Sequence, residues 1–147
     1  GVEFVEPADL SGAIRGRHNI YSHLETMIKK STKSVSIVTT SKGVLRKIDT
    51  LSPALNKLAK KGVKIRISAP ETEENKKTLK DISRIAEIKN IGKIDARFCI
   101  VDGNEMMFMM MSDDEVHPTY DLGIWVNTPY FAGAMEDLLN NSWNNPS

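Results

Sequence analysis

The chain holds one cysteine, Cys99, among 147 residues. That excludes an internal disulfide and fits a reducing cytoplasm. It has no apolar run near the ~18 residues that a membrane helix needs. Its first residues, GVEFVEPADL, are acidic and lack a signal peptide's cationic start and apolar middle. Neither sign of charge dominates. The formal net charge is +1, too balanced to predict wholesale nucleic-acid binding by the domain. Aromatics are scarce, at 6%. None is interleaved with the basic groups KKSTK (29–33) and LAKKGVK (58–64), which read as solvated helix ends. The histidines His18, His23 and His117 lack metal-ligand spacing. No Gly-x4-Gly-Lys-Ser/Thr loop is present, and no internal repeat appears. No metal or cofactor is therefore expected.

What is present suits one soluble domain: 40% apolar and 27% charged residues, in a length near the single-domain norm. Residues 1–16 carry Pro7, Gly12 and Gly16 without a sustained period, and read as a leader or linker from a missing N-terminal domain. The start at Gly1, without Met, suggests a piece of a longer protein. Residues 17–143 read as the domain and 144–147 as a tail.

Within that domain, Ile20, Leu24, Met27 and Ile28 share a helical face. SVSIVTT (34–40) is a β-branched strand. Ser52-Pro53 predicts a helix start, with Leu55, Leu58 and Ala59 on one face and Gly62 as the stop. VKIRIS (63–68) alternates strictly. Thr72 predicts the cap of a helix with Leu79, Ile82, Ile85 and Ala86 as its stripe. Asp102-Gly103 predicts a hairpin, and EMMFMMM (105–111) a strand buried on both faces. DLGIWVN (121–127) predicts another strand. Thr128-Pro129 predicts the start of a last helix, with Trp143 as an anchor. The alternation predicts an α/β fold: a mixed β-sheet flanked by helices on both faces.

The chemistry concentrates in IDARFCIVDG (94–103). As one strand, it places Asp95, Arg97, Cys99 and Val101 on one face and Ile94, Ala96, Phe98 and Ile100 on the other. An acid and a base side by side predict either a same-face ion pair between Asp95 and Arg97 or a pocket. The hydroxyl-rich turn of Thr39, Thr40 and Ser41 lies at the carboxyl end of the first predicted strand, where ligands of open α/β sheets bind. A helix cap and turn accounts for it equally well. The Met cluster at 106–111 reads as adaptable core filler rather than a soft-metal site. Cys99 reads as a buried strand residue.

The spacing Asp95-x-Arg97-x4-Asp102 resembles the phospholipase D motif His-x-Lys-x4-Asp. Asp95 stands where that family has its nucleophilic His, Arg97 where it has its phosphate-binding Lys, and Asp102 matches the acid. MSDD (111–114) stands where the family has Gly-Ser-x-Asn, with Ser112 matching the Ser and Asp114 in place of the Asn. A carboxylate at 95 brings negative charge toward an anionic phosphodiester. It is also a poor general acid near pH 7, since an Asp titrates near ~3.9. IRGRHNIYSHLETMIKKSTKSVSIVTT and GIWVNTPYFAGAMEDLLNNSW resemble the opening and the end of the degenerate phospholipase D-like domain of archaeal TrmB-type transcriptional regulators, over about residues 14–143.

That resemblance implies a cytoplasmic, non-catalytic, effector-sensing domain that forms a homodimer. It would reach DNA only through a winged helix absent from this chain. A small molecule or anion is the expected effector, with Asp95, Arg97, Asp102, Ser112, Asp114, Thr39, Thr40 and Ser41 as the candidate remnant pocket. A sugar is not carried over. The competing reading is a single-motif phosphodiesterase or nuclease acting as a homodimer, and a third is a ligand-free scaffold.

Overall fold

Apolar residues spaced three or four apart set the helices, and period-two patterns set the strands. In the computed structural model, residues 10–92, 94–112 and 116–145 are described. The elements are β1 (Ser11–Arg15), α1 (Arg17–Lys29), β2 (Ser34–Val38), α2 (Ser41–Gly43), a π-helical turn (Val44–Ile48), α3 (Asp49–Lys60) and β3 (Lys64–Ser68). They continue with α4 (Lys76–Ile82), β4 (Glu87–Lys89), β5 (Phe98–Val101), β6 (Glu105–Met109), a 3₁₀ turn (Pro118–Tyr120), β7 (Leu122–Val126) and α5 (Pro129–Asn144).

The strands form one seven-stranded sheet in the order β1-β7-β6-β5-β2-β3-β4. β2, β3 and β4 run parallel, and the remaining pairings are antiparallel. Helices cover both faces. On one face α1, the π turn, α3 and α4 bury Ile20, Leu24, Ile48, Leu55 and Leu79 against Val35, Ile37, Ile67 and Cys99. On the other, α5 sets Ala132, Leu139 and Trp143 on Val38, Ile100 and Met106. Successive residues of β2 and β5 thus divide between two cores, as a strand covered on both sides requires. No helix among the described residues is long and apolar enough to cross a membrane.

The hairpin at Asp102-Gly103 is as the sequence predicts. Both residues have positive φ, 56° and 69°, as a type I′ turn demands. Other expectations are corrected. Ser11–Arg15, assigned to a leader, is edge strand β1, held by antiparallel pairing to β7 rather than by an apolar period. Pro53, predicted to open a helix, lies inside α3. Val44, Ile48, Leu51, Leu55 and Leu58, all buried, carry one apolar stripe through it from the π turn. α4 starts at Lys76, after a turn in which Thr72 and Asn75 exchange hydrogen bonds. β6 ends at Met109, and Met110 and Met111 are 54% and 39% exposed rather than buried. Residues 94–97 precede β5 and are not strand.

Candidate functional site

Arg97 leads into β5 and is 5% exposed. A buried guanidinium needs a carboxylate and further acceptors. Asp121, just before β7, supplies them. Arg97 Nη1 and Nη2 donate to its Oδ2 and Oδ1 at 3.2 and 3.1 Å, and Arg97 Nη2 also donates to the Met111 carbonyl. Arg17, first residue of α1, donates Nε to Asp121 Oδ2 at 3.1 Å, and the Asp121 carbonyl accepts from Gly16 N–H at 2.7 Å. One carboxylate thus ties together the starts of α1, β5 and β7. Burial alone would raise the pKa of Asp121. The hydrogen bonds and charges of Arg97 and Arg17 outweigh it and hold the carboxyl below its ordinary range.

The expected Asp95–Arg97 ion pair is therefore not the pairing found. Asp95 is exposed, and the backbone between the two is not extended strand. Asp95 instead borders a cavity of about 380 Å³ at the carboxyl ends of β2 and β3. Thr39, Thr40 and Ser41 line it together with Ser68 and Asn90. Thr40 Oγ1 accepts from Gly43 N–H at 3.0 Å and starts the helical run. Thr39 Oγ1 is buried and has no hydrogen-bond partner among the described residues. Among the described residues, no cationic side chain lines this cavity.

Asn75, fully buried, holds the rim. Its Nδ2 donates to the carbonyls of Ser41 and Pro70 at 3.1 and 2.9 Å, and its Oδ1 accepts from Thr72 N–H at 2.8 Å. It joins the loop after β2 to the loop after β3.

The remaining candidates lie elsewhere. Asp102 sits at the opposite end of β5. Its carboxylate accepts from the N–H groups of Thr32, Lys33 and Ser34 and from the Ser31 hydroxyl. Burial raises its pKa, but these hydrogen bonds outweigh it and the carboxyl lies below its ordinary range. Ser112 is exposed and follows Met111, beside the Arg97 cluster. Asp114 lies outside the described residues. Thr39, Thr40, Ser41 and Asp95 thus come together, while Arg97 and Asp102 do not join them. The Cys99 thiol is buried and pushed up to about 12, mainly by burial, so it is no nucleophile. No group of His, Cys, Asp and Glu fit for a metal occurs among the described residues.

A wider groove of about 650 Å³ runs beside α5. Several of its polar groups are bonded to one another. Arg66 Nε donates to Ser36 Oγ at 2.7 Å, the Arg66 guanidinium sits 5.2 Å over the Trp143 ring, and Trp143 Nε1 donates to Glu87 at 3.0 Å. It is the seat of α5 rather than a preformed ligand site. The sequence reading missed Arg17, Asp121 and Asn75. Arg17 and Asp121 lie 104 positions apart, and no local spacing announces their meeting.

Residues 12–145 match the family model described as Transcriptional regulator TrmB, EBD N-terminal subdomain. No curated protein matches the sequence. Among solved structures, TrmBL2, an archaeal chromatin protein described as showing a novel mode of DNA binding, superposes with TM-score 0.69 at 18% identity, over 97% of this chain and 55% of that one. Nuc from Salmonella typhimurium, a phospholipase D family member, superposes with TM-score 0.67 at 12% identity, over 93% and 97%. NucT from Helicobacter pylori gives 0.66 at 11%, over 91% and 95%. At these identities the superpositions show a shared fold, which is phospholipase D-like. The chain spans 55% of TrmBL2's length.

Proposed function

The chain belongs to the TrmB transcriptional-regulator family, and from that premise we propose that it is the regulator's effector-sensing and dimerisation unit, without hydrolase activity. One observation carries the reading: the guanidinium at the motif's cation position is chelated by Asp121, while the position of the nucleophile holds Asp95, facing a hydroxyl-lined cavity. Among the described residues, a phosphodiester would meet a carboxylate and no available cation there. The lining instead suits a small neutral, hydroxylated ligand or a small amine, whose donors pair with Asp95 and whose hydroxyls pair with Thr39 and Ser68. The ligand biases how two copies pair, and the pairing sets the spacing of winged helices outside this chain.

The test is a thermal-shift screen of polyols, amines and phosphate esters on the purified chain. The expected result is stabilisation by a polyol or an amine that is weakened in Asp95→Asn and in Thr39→Val, together with a dimeric mass in light scattering. The competing reading, a homodimeric phosphodiesterase, draws on the structural likeness to Nuc and NucT. Turnover of bis(p-nitrophenyl) phosphate that Asp95→Asn abolishes would establish it and overturn the proposal. Asp95 is exposed, so that variant keeps its fold.

A further inference from the structure

The two basic groups that read separately as solvated helix ends are neighbours in space. α1 and α3 both end at the amino edge of the parallel strands. Ser34, which opens β2, pairs with Lys64, which opens β3, and Lys64 N–H donates to the Lys33 carbonyl at 3.1 Å. Lys29, Lys30 and Lys33 therefore adjoin Lys57, Lys60, Lys61 and Lys64. Arg84 extends the group, sharing a surface depression with Lys60 and Gly62. All eight side chains are exposed. Lys29 pairs with Glu25, and among the described residues the other seven form no ion pair. Asp102 lies in their midst, but its carboxylate is bound to the backbone of Thr32, Lys33 and Ser34. A net charge of +1 for the whole chain thus conceals a local excess of cations at this end, where Glu87 and Glu136 line the groove that Lys64 also borders.

Helix polarity accounts for part of this, since cations near helix C-termini are favoured. It does not account for Lys33, Lys64 or Arg84, which lie outside α1 and α3. We infer that this end of the domain binds the phosphate backbone of duplex DNA without reading sequence, as a second contact beside the family's winged helix. Duplex DNA fits better than the other polyanions. The segments 29–33 and 57–64 contain no aromatic residue, so neither segment supplies a platform for stacking single-stranded bases. None of the exposed large hydrophobics lies in them, so neither segment supplies the apolar core of a protein interface or a wedge for a lipid surface. Lysine ammoniums, as point charges on flexible stems, suit phosphates rather than base edges.

The inference does not rest on the effector reading, because Asp95 and its cavity lie at the opposite ends of β2 and β3. Fluorescence anisotropy of the 147-residue chain with a labelled duplex of arbitrary sequence tests it. Binding is expected at about 50 mM KCl, with log K falling linearly in log [KCl] at a slope of about −3 to −6. Lys33→Glu/Lys64→Glu is expected to weaken binding about tenfold or more and to reduce the slope by about two. Lys76→Glu/Lys77→Glu makes the same change in net charge at the start of α4 and is expected to change affinity less than about threefold. Circular dichroism confirms that both variants fold, and Asp95→Asn is expected to keep the DNA affinity. No binding at that salt, equal weakening by the two double variants, or tighter binding to single strands or anionic vesicles than to the duplex overturns the inference.

Discussion

Asp121 compensates two buried guanidiniums at once, so its replacement exposes what the ion cluster contributes. Asp121→Asn leaves Arg97 and Arg17 buried without a counter-charge. Breaking a buried pair in this way typically destabilises by about 3–5 kcal/mol. Asp95→Asn, at an exposed residue, is expected to stay within about 0.5 kcal/mol. The pH dependence follows from the same carboxyl together with Asp102. Both are held below their ordinary range in the folded state. A depressed folded pKa contributes stability that is fully present above the unfolded value, near ~3.9, and is lost as pH falls through the folded value. Urea unfolding of the wild type is therefore expected to show falling stability below about pH 4, with a shallower fall in Asp121→Asn. A variant that loses stability in parallel with the wild type down to pH 2 would show that Asp121 titrates as an ordinary carboxyl.

At the scale of elements, most of the fold was legible because its signals are local. The stripe Ile20-Leu24-Met27-Ile28, the alternation of 63–68 and the Asp102-Gly103 turn each carry their own periodicity or turn chemistry. β1 was not legible, because Ser-Gly-Ala-Ile-Arg has no apolar rhythm and becomes a strand only where β7 offers it a ladder. Pro53 misled because the apolar stripe from Val44 to Leu58 outweighs one missing N–H. Two glycines separate packing from backbone conformation in a way the sequence does not reveal. At Gly123, on β7, an added Cβ would lie 2.9 Å from Met107 Sδ and 3.2 Å from Ile20 Cγ1, where β7 meets α1. At Gly62, with φ 86°, nothing lies within 4 Å. Gly123→Ala is expected to cost about 1–3 kcal/mol through overpacking, and Gly62→Ala about 1 kcal/mol through left-handed strain alone. Urea midpoints at constant m-value distinguish them, and a harmless Gly123→Ala would mean that α1 moves freely over β7.

For the whole molecule, the candidate site was half legible. The turn Thr39-Thr40-Ser41 and Asp95, grouped as one candidate pocket, line one cavity. The partner of Arg97 did not follow from any spacing, because ion pairs between distant segments depend on how helices and strands finally pack. The distribution of charge is hidden in the same way: a count of 20 basic and 19 acidic residues fixes their difference but not their places. Gathering unpaired lysines at one end has a consequence for stability that needs no DNA. Like charges repel, and in the folded state the ends of α1 and α3 gather these at one edge of the sheet. Salt shortens the reach of that repulsion, from ~30 Å at 0.01 M to ~10 Å at 0.1 M, and leaves buried pairs such as Arg97–Asp121 largely unscreened. Raising KCl from about 0.01 to 0.2 M is therefore expected to raise the melting temperature by roughly 2–4 °C, equivalent to about 1 kcal/mol. Lys33→Glu/Lys64→Glu removes two of the crowded cations and adds attraction, so it is expected to melt higher than the wild type at low salt and to lose the salt-induced rise. A wild-type melting temperature that falls on adding salt would mean that attractive surface pairs outweigh the crowding, and that the lysines of this end are too far apart to act together.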